Sequence, residues 1–435
     1  MKVLVIDSGG RGDALCWKLK NDPRVSEVFC APGNGGMKRN GISLLNARTP
    51  EEIVSAARRG KVDLAIGGAE APLSAGVSDL FRKNKIPIIG PSGEATILET
   101  SKGYTDILCR ELGIPVPEFE IFEEKEAAKK YIDSQPYEVV VKCDGLAAGK
   151  GAIVCADKTE AHHAVDLVFE RQKSGDWGGK SVVIQKRIYG RELSFFYITD
   201  GHALKPFPVA QDYKRARDND EGKNTGGMGS FSPHPWEGEE FIQIVTAKIA
   251  RPLIDGFREK RNILYQGFIY FGLIFEDGDI NRPVLLEINI RLGDPESQVI
   301  LPRLETSLVS IAEALEKNQL EKLAINWSDE FFCDVVLTSG EIKRTGKGKY
   351  PGYPGRYKIG LPITGFAENN FYSLLFSAGI EHDSAKGYIT SGGRVLNIVG
   401  RGKTLADARA MAYADIEKIN FEGMYFRKDI GLSSN

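Results

Sequence analysis

Short apolar runs alternate with amphipathic stretches over the first hundred residues. Val3–Ile6 is the first run and ends on Ser8-Gly9-Gly10-Arg11-Gly12; a helical stretch follows from Asp13 to Lys20. Val25–Cys30 is the second run, closed by Pro32-Gly33-Asn34-Gly35-Gly36. Thr49 with Glu51 and Glu52 marks a helix start, because acidic side chains suit the positive end of the helix dipole. Val62–Ile66 and Ile86–Ile89 are the third and fourth strands, and Pro87 confines the fourth to a strand start or an edge. This βαβ rhythm predicts a parallel sheet whose loops gather at one edge.

The pattern changes at about Thr100. A helix over Lys102–Leu112 leads to Pro115 and Pro117, and strands follow at Val139–Lys142, Ile153–Cys155 and Val182–Gln185. Longer runs at Leu193–Thr199, Phe268–Phe275 and Val284–Ile290 read as strands, and Ser307–Lys317 as a helix. From Trp327 onward the chain has strands of its own at Cys333–Leu337 and Val395–Val399, with a helix over Leu405–Ile419. The class is therefore α/β passing into α+β, and 435 residues suit about three domains.

A net charge of -2 gives no electrostatic reason to expect nucleic acid or a membrane as partner. An anionic substrate must then be held by a local cluster of charges and N–H groups. The six cysteines form no CxxC pair and no zinc spacing, so buried thiols in a reducing cytoplasm are expected. The run after Met1 is too short for a signal peptide, and no segment approaches a membrane span.

Three stretches carry chemistry. Val141-Lys142-Cys143-Asp144-Gly145-Leu146-Ala147-Ala148-Gly149-Lys150-Gly151 delivers a lysine on a strand, then a loop of small residues, then another strand. Small residues let backbone N–H groups approach phosphate oxygens, and Lys142 and Lys150 offer positive charge. The alternative is a plain glycine-rich hairpin. In Leu286-Glu287-Ile288-Asn289-Ile290-Arg291, the period of two puts Glu287, Asn289 and Arg291 on one face. A carboxylate plus an amide oxygen suits Mg²⁺, and the arginine fork suits a carboxylate or an acyl phosphate. The alternative is a solvated strand face on which Arg291 pairs with Asp294 or Glu296. Gln211-Asp212 through Asp218, with Asn224–Ser230, is too polar and glycine-rich for core and predicts a long ordered loop. The Gly9-Gly10-Arg11 and Pro32–Gly36 loops also suit phosphate. A dinucleotide site is disfavoured, because Gly10-Arg11-Gly12-Asp13-Ala14-Leu15 lacks the third glycine of the fingerprint.

Taken in order, these motifs resemble the glycinamide ribonucleotide synthetases, members of the ATP-grasp superfamily. The likeness runs from Ser8-Gly9-Gly10-Arg11 through Glu70-Ala71-Pro72-Leu73, Ser101-Lys102, Asp144–Gly151, Gln211-Asp212, Asn224–Gly229 and Glu287–Glu296 to Ser391-Gly392-Gly393-Arg394 and Arg427-Lys428-Asp429. It implies an N-terminal parallel α/β domain (1–100), a split ATP-grasp fold (101–326, with a small lid at about 115–190) and a small C-terminal mixed domain (327–435). It implies the conversion of ATP, 5-phosphoribosylamine and glycine to ADP, phosphate and glycinamide ribonucleotide through glycyl phosphate. The implied protein is cytoplasmic, acts on small molecules, and is a monomer or homodimer.

The resemblance assigns ATP contacts to Lys102, Lys142, Asp144, Gly145, Ala148, Gly149, Lys150 and Gly151, with Gln185 at the adenine and Glu192 at the ribose. It assigns Mg²⁺ or Mn²⁺ to Glu287 and Asn289. Substrate contacts fall on Gly9, Gly10, Arg11, Asn34, Glu70, Asp212, Arg291, Gly293 and Arg394, and catalytic roles on Arg291, Asp212 and Lys142. Four segments depart from the family pattern. Arg11-Gly12-Asp13 stands where Arg-Glu-His is usual, and Gly68-Ala69-Glu70 where Gly-Pro-Glu is usual. Gln185-Lys186-Arg187-Ile188 replaces Glu-Glu-Phe-Leu, and Gly340–Lys349 is a longer, lysine-rich stretch. A paralogous ligase using another amino acid or amine is the nearest competitor. A regulatory protein that has lost catalysis would lack Glu287 and Asn289.

Overall fold

The computed structural model describes residues 1–147, 150–343, 349–368 and 370–432. The N-terminal unit is the parallel sheet that the alternating pattern predicts. Its strands β1 (Lys2–Asp7), β2 (Glu27–Pro32), β3 (Ser43–Leu44), β4 (Leu64–Gly67) and β5 (Ile88–Ile89) lie in the order β3-β2-β1-β4-β5, all parallel. Pro87 precedes β5, which is an edge strand as its lost N–H requires. Helix α1 (Gly10–Lys20) follows β1 and α2 (Pro50–Gly60) precedes β4. The start of α2 is fixed by a capping box in which Thr49 and Glu52 satisfy each other's backbone N–H groups. Helix α1 begins three residues before the predicted Asp13: glycines at positions 10 and 12 have poor helix propensity and hid its first turn.

Helix α3 (Lys102–Glu111) leads into a small antiparallel sheet of β6 (Phe119–Phe122), β7 (Val139–Cys143), β8 (Ala152–Val154) and β9 (Val182–Lys186), ordered β6-β9-β7-β8. Helices Lys125–Ser134 and Lys158–Ser174 pack on it, and the unit has an apolar core of its own.

The main sheet has nine strands. Those named here are β10 (Arg191–Thr199), β11 (Leu204–Asp212), β14 (Gly229–Ser232), β15 (Gly267–Phe275), β16 (Pro283–Asn289), β17 (Phe331–Ser339), β18 (Leu374–Ser377) and β19 (Arg394–Gly402). They run β16-β15-β10-β11-β14-β17-β19-β18, and Met424–Tyr425 pairs with β17. The sheet therefore passes without a break from the central unit into the C-terminal one across the β14–β17 pairing. Strand β15 is buried along its whole length. Ile269, Phe271, Leu273 and Phe275 enter one core, while Phe268 and Tyr270 enter the other. Burial on both faces explains its unbroken apolar run.

The Gln211–Ser230 stretch is not the long loop that its composition predicts. Asp212 ends β11, Arg215–Arg217 and Glu221–Asn224 pair as a two-stranded ribbon (β12 and β13), and Gly229 begins β14. The ribbon turns through Asn219 and Asp220 at positive φ. With no fully buried face it needs no apolar alternation, so the pattern could not reveal it. In the Gly340–Lys349 stretch, Ile342–Lys343 pairs with Lys349–Tyr350, and residues 344–348 lie outside the described residues.

Candidate active site

A cleft of about 910 Å³ opens between the small sheet and the main one. Its roof comes from β7 and β8, its back wall from residues 185–192, and its floor from β16 and the end of β11. Val140 and Val154 above face Ile274 and Leu286 below, a flat apolar slot beside a charged end.

Strand β7 carries Lys142 into this cleft, where its ammonium donates to the Leu286 carbonyl of β16 at 2.8 Å and so ties roof to floor. Burial pulls its pKa down to about 8, helped by Lys102 and Lys214 and opposed by Asp106 and Glu287. Gly145, Gly151 and Lys102 also line the cleft. At Gly145 a Cβ would lie 2.2 Å from the Gly178 carbonyl carbon, so only glycine lets these backbones meet.

Asp144 does not face the cleft. Its carboxylate accepts from the Ser101 hydroxyl (3.0 Å), the Gly103 N–H (3.1 Å) and the Ser181 hydroxyl (2.9 Å), tethering the small sheet to the start of α3. Lys150 is exposed and absent from the cleft lining, and Ala148 and Gly149 lie outside the described residues. Gln185 lines the back wall with its amide donating to Asp106 at 2.6 Å, in a buried pair.

On the floor Glu287, Asn289 and Arg291 all reach the cleft, as the strand period predicts. Burial alone would raise the Glu287 carboxyl, but Lys214, Lys102, Lys142 and Arg291 overcome it and hold it at about 2. The Asn289 amide nitrogen donates to the Ile288 carbonyl at 2.8 Å, which leaves its oxygen as the exposed polar atom. Arg291 does not pair with Asp294 or Glu296. It meets Glu99 at 3.0 Å and Glu70 at 3.3 Å, and donates to the Leu292 carbonyl at 3.2 Å. Burial works against its charge, but Glu99 and Glu70 hold its pKa above the ordinary arginine value. Asp294 instead pairs with Arg394 at 3.1 Å, and Glu296 accepts from Ser194 at 2.9 Å.

Glu70 heads a short helix and sits between Arg291 and Arg11, the latter at 3.7 Å. Burial would raise it, yet the two guanidiniums hold it at about 2. Arg11 is itself locked to Asp7 at 2.7 Å and to the Leu292 carbonyl at 3.0 Å. Asp212 closes the wall from β11, and burial raises its pKa, with Glu296, Glu192 and Glu287 adding and Lys214 opposing. Gly293 lines the cleft; a Cβ there would lie 2.4 Å from a Glu296 carboxylate oxygen.

Gly10 and Asn34 belong to a different place, the seam between the N-terminal sheet and the C-terminal strands, whereas Gly9 borders the cleft, where a Cβ would lie 3.2 Å from a carboxylate oxygen of the lining residue Asp294. A Cβ on Gly10 would lie 2.3 Å from the Asn397 amide nitrogen. Asn34 donates to the Ser8 and Ser377 carbonyls at 2.9 and 3.0 Å and accepts from the Gly36 N–H at 3.0 Å. Glu99 and Lys214 are among the cleft residues that the sequence did not single out. Glu99 precedes Lys102 with no mark to set it apart from a surface glutamate. Lys214 does carry a signal: it lies two residues beyond Asp212 and pairs with Glu192 at 3.0 Å and Glu287 at 3.6 Å.

Three family models match in chain order: the N domain of phosphoribosylglycinamide synthetase over residues 1–99, its ATP-grasp (A) domain over 100–297 and its C domain over 350–433. The chain belongs to the phosphoribosylglycinamide synthetase family. Phosphoribosylamine–glycine ligase of Pseudomonas aeruginosa is 40% identical over 99% of this chain and 97% of its own. That of Archaeoglobus fulgidus is 38% identical over 99% of both. The crystal structure of phosphoribosylamine–glycine ligase from Thermotoga maritima superposes with a TM-score of 0.80 at 31% identity, over 99% of this chain and 100% of that one. The biotin carboxylase domain of Hydrogenobacter thermophilus 2-oxoglutarate carboxylase, in complex with MgADP and bicarbonate, shares the fold at TM-score 0.69 and 14% identity, over 98% of this chain and 91% of that one.

Two departures from the synthetase pattern have a physical account. Asp13 accepts from the Ser377 N–H (2.7 Å) and hydroxyl (2.6 Å), so it bonds the N-terminal unit to β18. Gly12 has no room for the usual glutamate, since a Cβ would lie 2.7 Å from that of Asp7.

Proposed function

We propose that this cleft joins glycine to 5-phosphoribosylamine at the expense of ATP, giving glycinamide ribonucleotide, ADP and phosphate in purine biosynthesis, through a glycyl-phosphate intermediate. The observation that carries the reading is the convergence of Lys142, Glu287, Asn289 and Arg291 on one cleft in a chain that matches the synthetases over its whole length. The base of ATP lies in the apolar slot, with Gln185 at its edge and Glu192 at the ribose. Lys102 and Lys142 neutralise the phosphates, with Gly145 and Gly151 beside them.

Arg291 takes the glycine carboxylate in its fork, for which it exchanges one of its present partners, Glu99 or Glu70. The carboxylate attacks the terminal phosphorus of ATP, and ADP leaves. The ribosylamine nitrogen then attacks the acyl carbon and phosphate leaves. Asp212, made more basic by burial, accepts in its ionised form the proton that the nitrogen loses. Glu70 and Arg394 face the ribosylamine.

Glu287 and Asn289 fit Mg²⁺ or Mn²⁺: one ionised carboxylate and one uncommitted amide oxygen are hard donors. These two residues would hold the ion. Once bound, the ion supplies charge neutralisation on the phosphates. We assign the reaction to the cytoplasm, in keeping with six buried free thiols, and take the protein as a monomer or homodimer. ADP release with each substrate omitted in turn tests the function. ADP formed without the ribosylamine, or alanine used as readily as glycine, points to a different ligase.

A further inference from the structure

Among the described residues, Lys214 is the one lysine of the cleft paired to two of its carboxylates. Its backbone is fixed, because the carbonyl accepts from both the Thr225 N–H (2.7 Å) and the Thr225 hydroxyl (2.8 Å). Its side chain is partly exposed on the cleft wall and touches floor and wall together, Glu192 at 3.0 Å and Glu287 at 3.6 Å. Asp212 and Tyr270 also face it, and Lys102 and Lys142 face Glu287 from the other side. An ammonium and a divalent cation cannot share one carboxylate without strong repulsion in a partly buried site.

We propose that Lys214 is the resident counter-ion of the acidic floor: without nucleotide its ammonium holds the position beside Glu287, and it turns away only when a polyphosphate offers it a new partner. This rests on the reading of Glu287 and Asn289 as metal ligands. The consequence is positive coupling between two ligands at adjoining sites. Free divalent cation competes with a tethered ammonium and binds weakly. Nucleotide removes the competitor, so metal and nucleotide bind tightly only together, and the coupling is reciprocal. Lys102 and Lys142 are less suited to this exchange. Lys142 is already bonded to the Leu286 carbonyl, and neither lysine forms an ion pair with Glu287. A fixed backbone and a side chain held only by ion pairs are what a local exchange of partners requires, with no movement of the fold.

The test is Mn²⁺ binding to the full chain, followed by electron paramagnetic resonance, with and without a non-hydrolysable ATP analogue. Lys214→Gln and Lys214→Ala, two neutral replacements of different size, should tighten the binding of Mn²⁺ alone by about tenfold. Lys214→Arg keeps the charge and should bind as the wild type does. Saturating analogue should close the gap between wild type and the neutral variants. Glu287→Gln, in the wild-type and Lys214→Gln backgrounds, checks the metal site itself and should weaken Mn²⁺ in both. Mn²⁺ binding that is unchanged or weaker in both neutral variants overturns the counter-ion role, while a loss in Glu287→Gln leaves the metal site standing. A gap that persists with analogue overturns the exchange, because Lys214 would then have stayed beside Glu287. Binding unaffected by Glu287→Gln overturns the metal site and this inference together.

Discussion

The cleft and the seam between the N- and C-terminal units are both dense in buried polar groups, and they differ in how those groups are satisfied. In the seam each polar atom meets a short-range partner of fixed geometry. Asp13 is closed by Ser377, and Asn34 by Ser8, Gly36 and Ser377. In the cleft, charge meets charge, and several charges are shared between two partners. Arg291 lies 3.0 Å from Glu99 and 3.3 Å from Glu70, Lys214 3.0 Å from Glu192 and 3.6 Å from Glu287, and Glu70 also 3.7 Å from Arg11, all lining the cleft. Polar groups saturated by hydrogen bonds hold domains together. Paired charges that face a cavity can change partners, which is what binding and catalysis require.

The comparison can be broken by substitution. Glu287→Gln should have the largest effect, lowering kcat roughly 10²–10³-fold with little change in thermal stability. An equal fall in stability would make Glu287 a seam-like residue. Arg291→Lys comes next, since a lysine cannot reproduce the fork: kcat/KM for glycine should fall about 10–100-fold. Full activity in that variant would remove Arg291 from glycine binding.

Glu70 sharpens the comparison through pH. Its folded pKa of about 2 lies below the ordinary 4.5, so the stability it contributes is complete above pH 4.5 and is lost as the pH falls toward 2. Glu70→Gln should therefore cost on the order of 2–3 kcal/mol at pH 7 in urea unfolding. The gap to wild type should narrow steadily below pH 4.5; a constant gap would mean that the guanidiniums do not hold the carboxylate. The smallest effect is in the seam, where Asp13→Ala leaves the Ser377 donors unpaired. That should cost about 1–2 kcal/mol of stability while KM for ATP and glycine stay within twofold.

The floor of the cleft was legible because a strand repeats every two residues. Glu287, Asn289 and Arg291 could be set on one face from spacing alone, and Lys142 could be set at the end of β7. The loops were less so. Gly10 and Asn34 have the composition of a phosphate site, yet what surrounds them depends on where β18 and β19 dock, more than 330 residues later in the chain. Asp144 reads as part of a nucleotide loop and serves as a tether, because Ser101, Gly103 and Ser181 converge on it from other elements.

By itself the sequence determined the parallel N-terminal sheet, the order of strands and helices, and the residue types that face the cleft. These follow from local periodicity and from backbone rules that act over a few residues. The tertiary structure alone decided which charges are partners. Arg291 goes to Glu70 and Glu99 rather than to its sequence neighbours Asp294 and Glu296, and Lys214 goes to Glu192 and Glu287. Ion pairing depends on distance in space and on burial, and neither is written in the spacing of residues along a chain.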